Sequence, residues 1–220
     1  MKKIFLLLCI ISIGILATAQ GTETPFRKEI DAFKKKDSIQ MPAAHSILFV
    51  GSSSFTKWTD VQDYFPGYPI INRGFGGSSL PDVIRYVDEV IIPYDPKQIV
   101  IYCGENDIAG SDTITAQTVL KRFQILFSLI RNKLPKVPIA FVSLKPSVSR
   151  WAMEARFVET NKLIKDFLRK QSKTKFINIH DAMLNAGGSV MTDIFIADNL
   201  HMNAKGYKIW QPIILPYLRR

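Results

Sequence analysis

Four short segments of the sequence contain side chains that could together carry out acyl transfer. A serine hydroxyl becomes a nucleophile at neutral pH when a base such as histidine lies within hydrogen-bond reach, and a carboxylate can orient that histidine. Asp198 and His201 have these residue types, and their spacing lets both side chains reach one point from a single loop or helical turn. The four segments are Gly51-Ser52-Ser53-Ser54, residues 72–78, Gly104-Glu105-Asn106-Asp107 and residues 198–203.

Each segment taken alone has a simpler explanation. A Gly-Ser segment is usually a turn or a helix cap, a Gly-Gly pair is usually a tight loop, and Asn-Asp often starts a turn. The presence of all four in one chain is a more specific pattern, and it favours a shared site. The Gly-Ser segment lacks the Gly-Lys-Ser/Thr signature of a nucleotide-binding loop, so phosphate binding is the weakest interpretation.

The elements that must position these segments follow from hydrophobic patterning. Short apolar runs alternate with longer helical patterns after residue 45, and this alternation predicts a parallel sheet covered by helices. In such a sheet, ligands bind at the carboxyl ends of the strands, where three of the four segments begin. The predicted strands are 46–50, 69–72, 98–102, 137–144 and 175–180. The predicted helices are 26–36, 80–91, 115–132, 151–173 and 203–218.

Together the four segments resemble those of the SGNH hydrolases, also called the GDSL esterase family, which is named for Ser, Gly, Asn and His in four separate blocks. The resemblance extends over nearly all of the chain beyond residue 48, and it looks like the platelet-activating-factor acetylhydrolase-like branch. It implies an α/β protein, a three-layer α/β/α sandwich with a parallel sheet of about five strands and a flavodoxin-like fold.

The resemblance also implies a role for each block. Ser53 is the expected nucleophile, His201 its base, and Asp198 the carboxylate that orients the histidine. The expected oxyanion hole consists of the backbone N–H groups of Ser53 and Gly77 and the side chain of Asn106. No cofactor or metal is implied, and a small-molecule or carbohydrate ester is the expected substrate.

Two positions depart from the family pattern. Ser52 stands in place of the usual aspartate before the nucleophile, which removes a charged hydrogen-bond acceptor. Asn199 stands where glycine is frequent between the aspartate and the histidine. The oxyanion donor from the glycine block, residues 72–78, has alternatives, because Gly74 and Gly76 lie beside Gly77 and only the motif register favours Gly77. Gly76 and Gly77 could instead simply serve a turn.

Four further residues are candidates for contact with substrate or for structural roles. Arg150 and Trp151 follow the fourth predicted strand and could bind a sugar or an acid group, but Trp151 could equally pack on the core and Arg150 could be solvated. Arg73, beside the glycine block, has the same two interpretations. His180 ends an apolar strand, which favours a core or edge histidine over a second base.

The start of the chain predicts export. Lys2 and Lys3 precede an apolar run over residues 4–16 and then Ala17-Thr18-Ala19, the pattern of a signal peptide with its cleavage site. An uncleaved anchor is the alternative. The predicted organisation is a signal peptide over 1–19, an N-terminal helical extension over 20–45 that packs on the domain, and an SGNH hydrolase domain over 46–220.

Composition excludes several other classes of protein. Hydrophobic residues make up 47% of the 220 residues and charged residues 22%, which is typical of a folded globular protein. The net charge of +10 is spread along the chain, so nucleic-acid binding is not expected. The histidines lack metal-ligand spacing, and Cys103, directly after an apolar run, is expected to be a buried structural thiol.

These patterns predict an exported, periplasmic or secreted serine esterase acting on short-chain esters, with acetyl groups on carbohydrates as the expected substrates. A lysophospholipid or another lipid ester is the first alternative. An alternative of another class is a catalytically silent carbohydrate-binding domain, since a fold alone does not prove activity. No stable membrane insertion is expected after signal cleavage, and the oligomeric state is left open.

Overall fold

The computed structural model describes residues 24–220, and within them five strands form one parallel sheet. The strands are β1 (Ile47–Gly51), β2 (Ile70–Gly74), β3 (Gln98–Tyr102), β4 (Ile139–Val142) and β5 (Thr174–Ile177). Their spatial order is β2-β1-β3-β4-β5. The strand order places the crossover between β1 and β3, which is where ligands bind in open parallel sheets.

Helices cover both faces of this sheet. They are α1 (Arg27–Ile39), α2 (Ser53–Thr56), α3 (Val61–Tyr64), α4 (Leu80–Arg85), α5 (Val87–Val90), α6 (Glu105–Ala109), α7 (Ala116–Lys133), α8 (Glu154–Leu168) and α9 (Ala204–Ile214). Short 3₁₀ turns lie at Ile92–Tyr94, Trp151–Met153, Asp181–Met183 and Leu215–Tyr217. Within residues 24–220, none of these helices has both the length and the apolar character needed to span a bilayer.

The central strand shows why two layers of helices are needed. Every residue of β1 is buried, and alternate side chains enter different hydrophobic clusters. Leu48 and Val50 pack with residues of α4, α5, α7 and α8, whereas Ile47 and Phe49 pack with residues of α2, α3 and α9. A strand that is apolar on both faces can be buried only between two layers. The predicted three-layer α/β/α sandwich with five parallel strands is therefore confirmed.

Several predicted boundaries differ from the structure for local reasons. The predicted helix over 80–91 is divided into α4 and α5 at Tyr86, whose φ of −105° and ψ of 12° are not helical. The predicted strand over 175–180 ends at Ile177, because the N–H groups of Ile179 and His180 donate to the Ser143 hydroxyl instead of continuing the ladder.

The N-terminal helix lies against the helical layer next to it. Ile30 is buried, and the Arg27 guanidinium donates to both carboxylate oxygens of Glu89, at 3.0 and 2.8 Å. These contacts fix α1 on the domain. The predicted signal peptide over 1–19 and the first four residues of the predicted extension, 20–23, lie outside the described residues.

The last residue of β1 approaches the neighbouring strand very closely. Gly51 has a φ of +135°, and a Cβ atom there would lie 2.0 Å from the carbonyl oxygen of Tyr102. The next residue, Ser52, donates its N–H to that same oxygen at 2.9 Å. Only glycine can occupy this position without moving β1 from β3.

We expect Gly51→Ala to destabilise the protein by about 3 kcal/mol or more, because it combines a strained φ with overlap against backbone. Gly67→Ala is the matched control: Gly67 also has a positive φ, +82°, but no atom lies within 4 Å of its added Cβ. The control should lose only about 1–2 kcal/mol. Urea unfolding of both variants measures the difference, and equal losses would contradict the steric argument.

Candidate active site

The candidate nucleophile lies where β1 ends. Ser53 is the first residue of α2 and directly follows Ser52, whose N–H is bonded to β3. Gly51 also anchors the glycine block, since its carbonyl oxygen accepts the N–H of Phe75 at 3.0 Å and the hydroxyl of Ser78 at 3.1 Å. The carboxyl ends of β1 and β2 are therefore tied together beside Ser53.

Ser53, His201 and Asp198 form a continuous hydrogen-bonded series. His201 Nε2 lies 2.9 Å from Ser53 Oγ, and His201 Nδ1 lies 2.6 Å from Asp198 Oδ2. The other oxygen of Asp198 accepts the N–H groups of Leu200 at 2.9 Å and His201 at 2.8 Å. Nδ1–H donating to Asp198 leaves Nε2 free to accept the serine proton, which is the tautomer that a general base requires.

The Asp198 carboxyl is held in its charged form. Burial raises its pKa, but the hydrogen bond from the His201 ring and those from the N–H groups of His201 and Leu200 outweigh burial and lower the pKa to about 2. Asp198 therefore stays ionised at neutral pH. An ionised partner both orients the imidazole and stabilises the imidazolium that forms when Nε2 takes a proton.

The loop that carries Asp198 and His201 turns at Asn199, which has a φ of +56°. Asparagine tolerates this left-handed conformation better than other residues with a Cβ, and glycine tolerates it best. The departure from the glycine of the family pattern thus preserves the turn. The Asn199 carbonyl oxygen accepts the N–H of Ser149 at 3.1 Å, which joins this loop to the segment after β4.

The N–H groups of Ser53 and Gly77 are the predicted backbone donors to an oxyanion. Within residues 24–220, the N–H groups of Ser53 and Gly77 donate to no protein acceptor. Gly76 shares this property, whereas the Gly74 N–H donates to Asn72 Oδ1 at 2.9 Å and is not available. Gly77 has a φ of +83°, which a residue with a side chain rarely adopts.

The side chain of Asn106 reaches the same region from the start of α6. Its Nδ2 donates to Ser52 Oγ at 2.7 Å and to the Ser78 carbonyl oxygen at 2.9 Å. Both amide hydrogens therefore have protein acceptors, and donation to an oxyanion requires that one of them be shared. Ser52 provides the acceptor at the position where the family pattern has aspartate.

Arg150 contacts this amide from the opposite end. Its Nη2 donates to Asn106 Oδ1 at 2.8 Å, and its Nη1 lies 3.7 Å from Glu105 Oε2. Glu105 also accepts from Lys145 Nζ, at 3.2 and 3.3 Å. Arg150 was predicted to contact substrate, whereas no role was predicted for Glu105 or Lys145. The available signal was a lysine directly after the predicted strand over 137–144, where a buried charge must be paired.

Trp151, next to Arg150, is not part of the core. It begins the 3₁₀ turn Trp151–Met153 and is 39% exposed, so its indole is accessible to solvent. Its exposure excludes the alternative that this tryptophan packs on the core. A contact between Trp151 and substrate stays a prediction.

Arg73 does not face the candidate nucleophile. Its guanidinium pairs with Asp37 and donates to the hydroxyl of Tyr94 at 2.6 Å and to the Asn72 carbonyl oxygen at 3.0 Å. Its Cζ also lies 5.0 Å from the centre of the Phe33 ring. All three guanidinium nitrogens have partners within the fold, and Nη2 attaches α1 through Asp37. A contact between Arg73 and substrate stays a prediction.

Two other reactive residues are placed in structural roles. His180 is buried between Glu154 and Asp181; burial lowers its pKa, but the hydrogen bonds to these two carboxylates outweigh burial and raise the pKa overall. Cys103 is buried, and this burial raises the pKa of its thiol, so it is a poor nucleophile. The predictions of a core histidine and a structural thiol agree with these positions.

Substitution of Asn199 tests whether the turn positions Asp198 and His201. We expect Asn199→Gly to change the free energy of unfolding by less than about 0.5 kcal/mol, whereas Asn199→Val should cost about 1–2 kcal/mol because a branched side chain opposes a positive φ. The low-field NMR signal of the His201–Asp198 hydrogen bond should persist in the glycine variant and weaken in the valine variant. An unchanged signal in both would contradict the positioning role.

Several solved structures share the fold over most of their length. A Streptococcus pneumonia protein provisionally described as a platelet activating factor has a TM-score of 0.75 at 19% identity, over 87% of this chain and 92% of the other. A GDSL-like lipase from Bacteroides thetaiotaomicron has a TM-score of 0.71 at 18% identity, over 86% and 96%. An acetyl-xylooligosaccharide esterase from Geobacillus Stearmophilus has a TM-score of 0.62 at 15% identity, over 81% and 98%.

At these identities the similarity establishes the fold only. The sequence matches no curated protein. The profile of the GDSL-like Lipase/Acylhydrolase family, however, matches residues 46–209, which is about three quarters of the chain and includes all four segments. The chain therefore belongs to the GDSL-like lipase/acylhydrolase family and is a carboxylic ester hydrolase.

Proposed function

We propose that this protein is an exported serine esterase that hydrolyses short-chain esters, in particular acetyl esters of carbohydrates, through an acyl-enzyme on Ser53. The observation that carries the proposal is the series Ser53 Oγ, His201 and Asp198, with separations of 2.9 and 2.6 Å. A nucleophile, a base and an orienting carboxylate in this geometry support acyl transfer. The free N–H groups beside Ser53 support stabilisation of an oxyanion.

The proposed reaction has two halves. Ser53 Oγ attacks the ester carbonyl carbon while His201 Nε2 takes its proton, and the carbonyl oxygen becomes negative. That oxygen accepts hydrogen bonds from the N–H groups of Ser53 and Gly77 and from the Asn106 amide. When the tetrahedral intermediate collapses, the alcohol leaves with the proton from His201. Water then attacks the acyl-enzyme in the same way, which releases the acid and restores Ser53.

Three considerations support a short acyl group on a polar alcohol. Water can reach the hydrogen-bonded series of Ser53, His201 and Asp198, since the Asp198 side chain is 41% exposed. The exposed indole of Trp151 follows Arg150, which contacts Asn106, and an aromatic ring is a suitable surface for a sugar. One of the structural neighbours is named as an acetyl-xylooligosaccharide esterase. An acetylated carbohydrate fits all three.

Export and the choice of substrate rest on different observations. Export is supported by the signal-peptide pattern of residues 1–19. A lysophospholipid or another lipid ester remains the second candidate substrate, because another structural neighbour is named for platelet activating factor, a lipid ester. The same branch of the family was the expected one from the sequence, and it stays a proposal.

Ser53 is tested by covalent labelling. A fluorophosphonate should label the wild-type protein, and Ser53→Ala should abolish the labelling because the attacking oxygen is removed. Ser54→Ala is a matched control, since Ser54 lies in the same turn but is buried and outside the hydrogen-bonded series. Labelling is followed by mass spectrometry of the intact protein. Well-folded wild-type protein that remains unlabelled would favour a catalytically silent carbohydrate-binding domain.

The acyl preference is tested with p-nitrophenyl esters of increasing chain length, measured beside acetylated xylan and a lysophospholipid. We expect kcat/KM to be highest for acetate and to fall steadily with each added methylene, by up to about tenfold per group where the pocket is full. Acetate should also be released from acetylated xylan. Activity that rises beyond about eight carbons would reject the carbohydrate proposal in favour of the lipid ester.

A further inference from the structure

We propose that Arg150 is a positioning residue for the Asn106 amide, and that the buried Glu105–Lys145 pair holds Arg150 in place. Arg150 Nη2 donates to Asn106 Oδ1 at 2.8 Å, while its Nη1 faces Glu105 at 3.7 Å. The inference rests on the proposed function, because the amide matters only if it serves the oxyanion. It assigns to Arg150 an action through Asn106 in place of a direct contact with substrate.

Three hydrogen-bond partners hold the Asn106 amide, and Arg150 is the partner that carries a charge. Nδ2 donates to Ser52 Oγ and to the Ser78 carbonyl oxygen, and Oδ1 accepts from Arg150. A rotation of the amide by half a turn would set Oδ1 against the Ser78 oxygen and Nδ2 against the guanidinium. Both contacts would then be unfavourable. Arg150 and the Ser78 carbonyl oxygen therefore together fix which end of the amide faces Ser52.

The support for Arg150 is itself buried. Lys145 is 0% exposed and Glu105 is 6% exposed, yet both carry groups that are charged in water. Burial lowers the pKa of Lys145, and the neighbouring Glu105 opposes this effect. Burying a lysine and a carboxylate costs free energy that their mutual attraction often only balances. Such a pair adds little to the free energy of unfolding, but it fixes the position of a third side chain that it contacts, here that of Arg150.

The contacts of Arg150 with Asn106 and with the Glu105–Lys145 pair join three segments of the chain. Glu105 and Asn106 begin α6, Lys145 follows β4, and Arg150 lies on the loop before the 3₁₀ turn Trp151–Met153. The same loop is joined to the histidine loop through the Ser149 N–H and the Asn199 carbonyl oxygen. Arg150 thus couples the loop after β4 to the candidate oxyanion donor. Its side chain is 16% exposed, which leaves little of it for a ligand.

A double-mutant cycle separates positioning from substrate contact. We expect Arg150→Met to lower kcat for p-nitrophenyl acetate about 10- to 100-fold with KM nearly unchanged, and Asn106→Ala to lower it about 100- to 1,000-fold. In the Asn106→Ala background, Arg150→Met should change kcat less than about twofold, because its target is already gone. Arg150→Lys should recover only part of the activity, since one ammonium cannot reach both Asn106 and Glu105 as a fork does.

Arg156→Met is the matched control. Arg156 lies on α8 and contacts Asp112 and the Ile114 carbonyl oxygen, away from the catalytic candidates, so kcat should stay at the wild-type value. Independent effects of Arg150→Met and Asn106→Ala that multiply in the double variant would overturn the proposal. A rise in KM at constant kcat would also overturn it and would make Arg150 a substrate contact.

A second measurement does not depend on turnover. The side-chain amide protons of Asn106, observed by NMR in protein with labelled asparagine, should lose protection from solvent exchange in Arg150→Met and keep it in Arg156→Met. If the wild-type protein shows no Ser53-dependent hydrolysis, the proposed function is rejected. The exchange rates of the Asn106 amide protons would still decide whether Arg150 positions this amide. Unchanged protection in Arg150→Met would reject that role, whether or not the protein is active.

Discussion

The pairing of β1 with β3 at Gly51 and Tyr102 is the constraint on which the candidate site depends. Their backbones approach so closely that a Cβ on Gly51 would lie 2.0 Å from the Tyr102 carbonyl oxygen. The chain leaves β1 at this point and begins α2 at Ser53, while the chain that leaves β3 reaches Asn106 at the start of α6. The pairing of β1 with β3 therefore sets the positions of both the candidate nucleophile, Ser53, and the candidate amide donor, Asn106. Packing of fully buried strands gives this half of the site its precision.

The other half of the site is a loop whose position depends on polar contacts. His201 is separated from Ser53 by 148 residues, so the short distance between them must be maintained by the folded structure. The loop uses its own hydrogen bonds for this purpose, from N–H groups to Asp198 within the turn and from Ser149 to Asn199 across to the neighbouring loop. The nucleophile is thus held by the sheet, and its base is held by a network that water can reach.

The sequence predicts those parts of the molecule that depend on local patterns. Apolar runs located all five strands, and the resemblance of four segments to the SGNH hydrolases selected Ser53, Asp198 and His201, which the structure brings together. It could not predict the partners of long polar side chains, because these depend on which elements meet. Arg73 was expected at the substrate but pairs with Asp37 on α1, and Lys145 was overlooked although it is the most deeply buried charge near the site.

Ser52 shows how the same geometry can be kept with a different distribution of charge. An aspartate at this position would set a carboxylate beside Asn106 Nδ2, close to the place where the ester oxygen becomes negative. Two negative charges at short range repel each other strongly where water is scarce. Ser52 Oγ accepts the same hydrogen bond at 2.7 Å without that charge. A neutral acceptor also holds the amide less firmly than a carboxylate would. The charge that orients Asn106 then comes from the other end of the amide, where the positive Arg150 holds Oδ1.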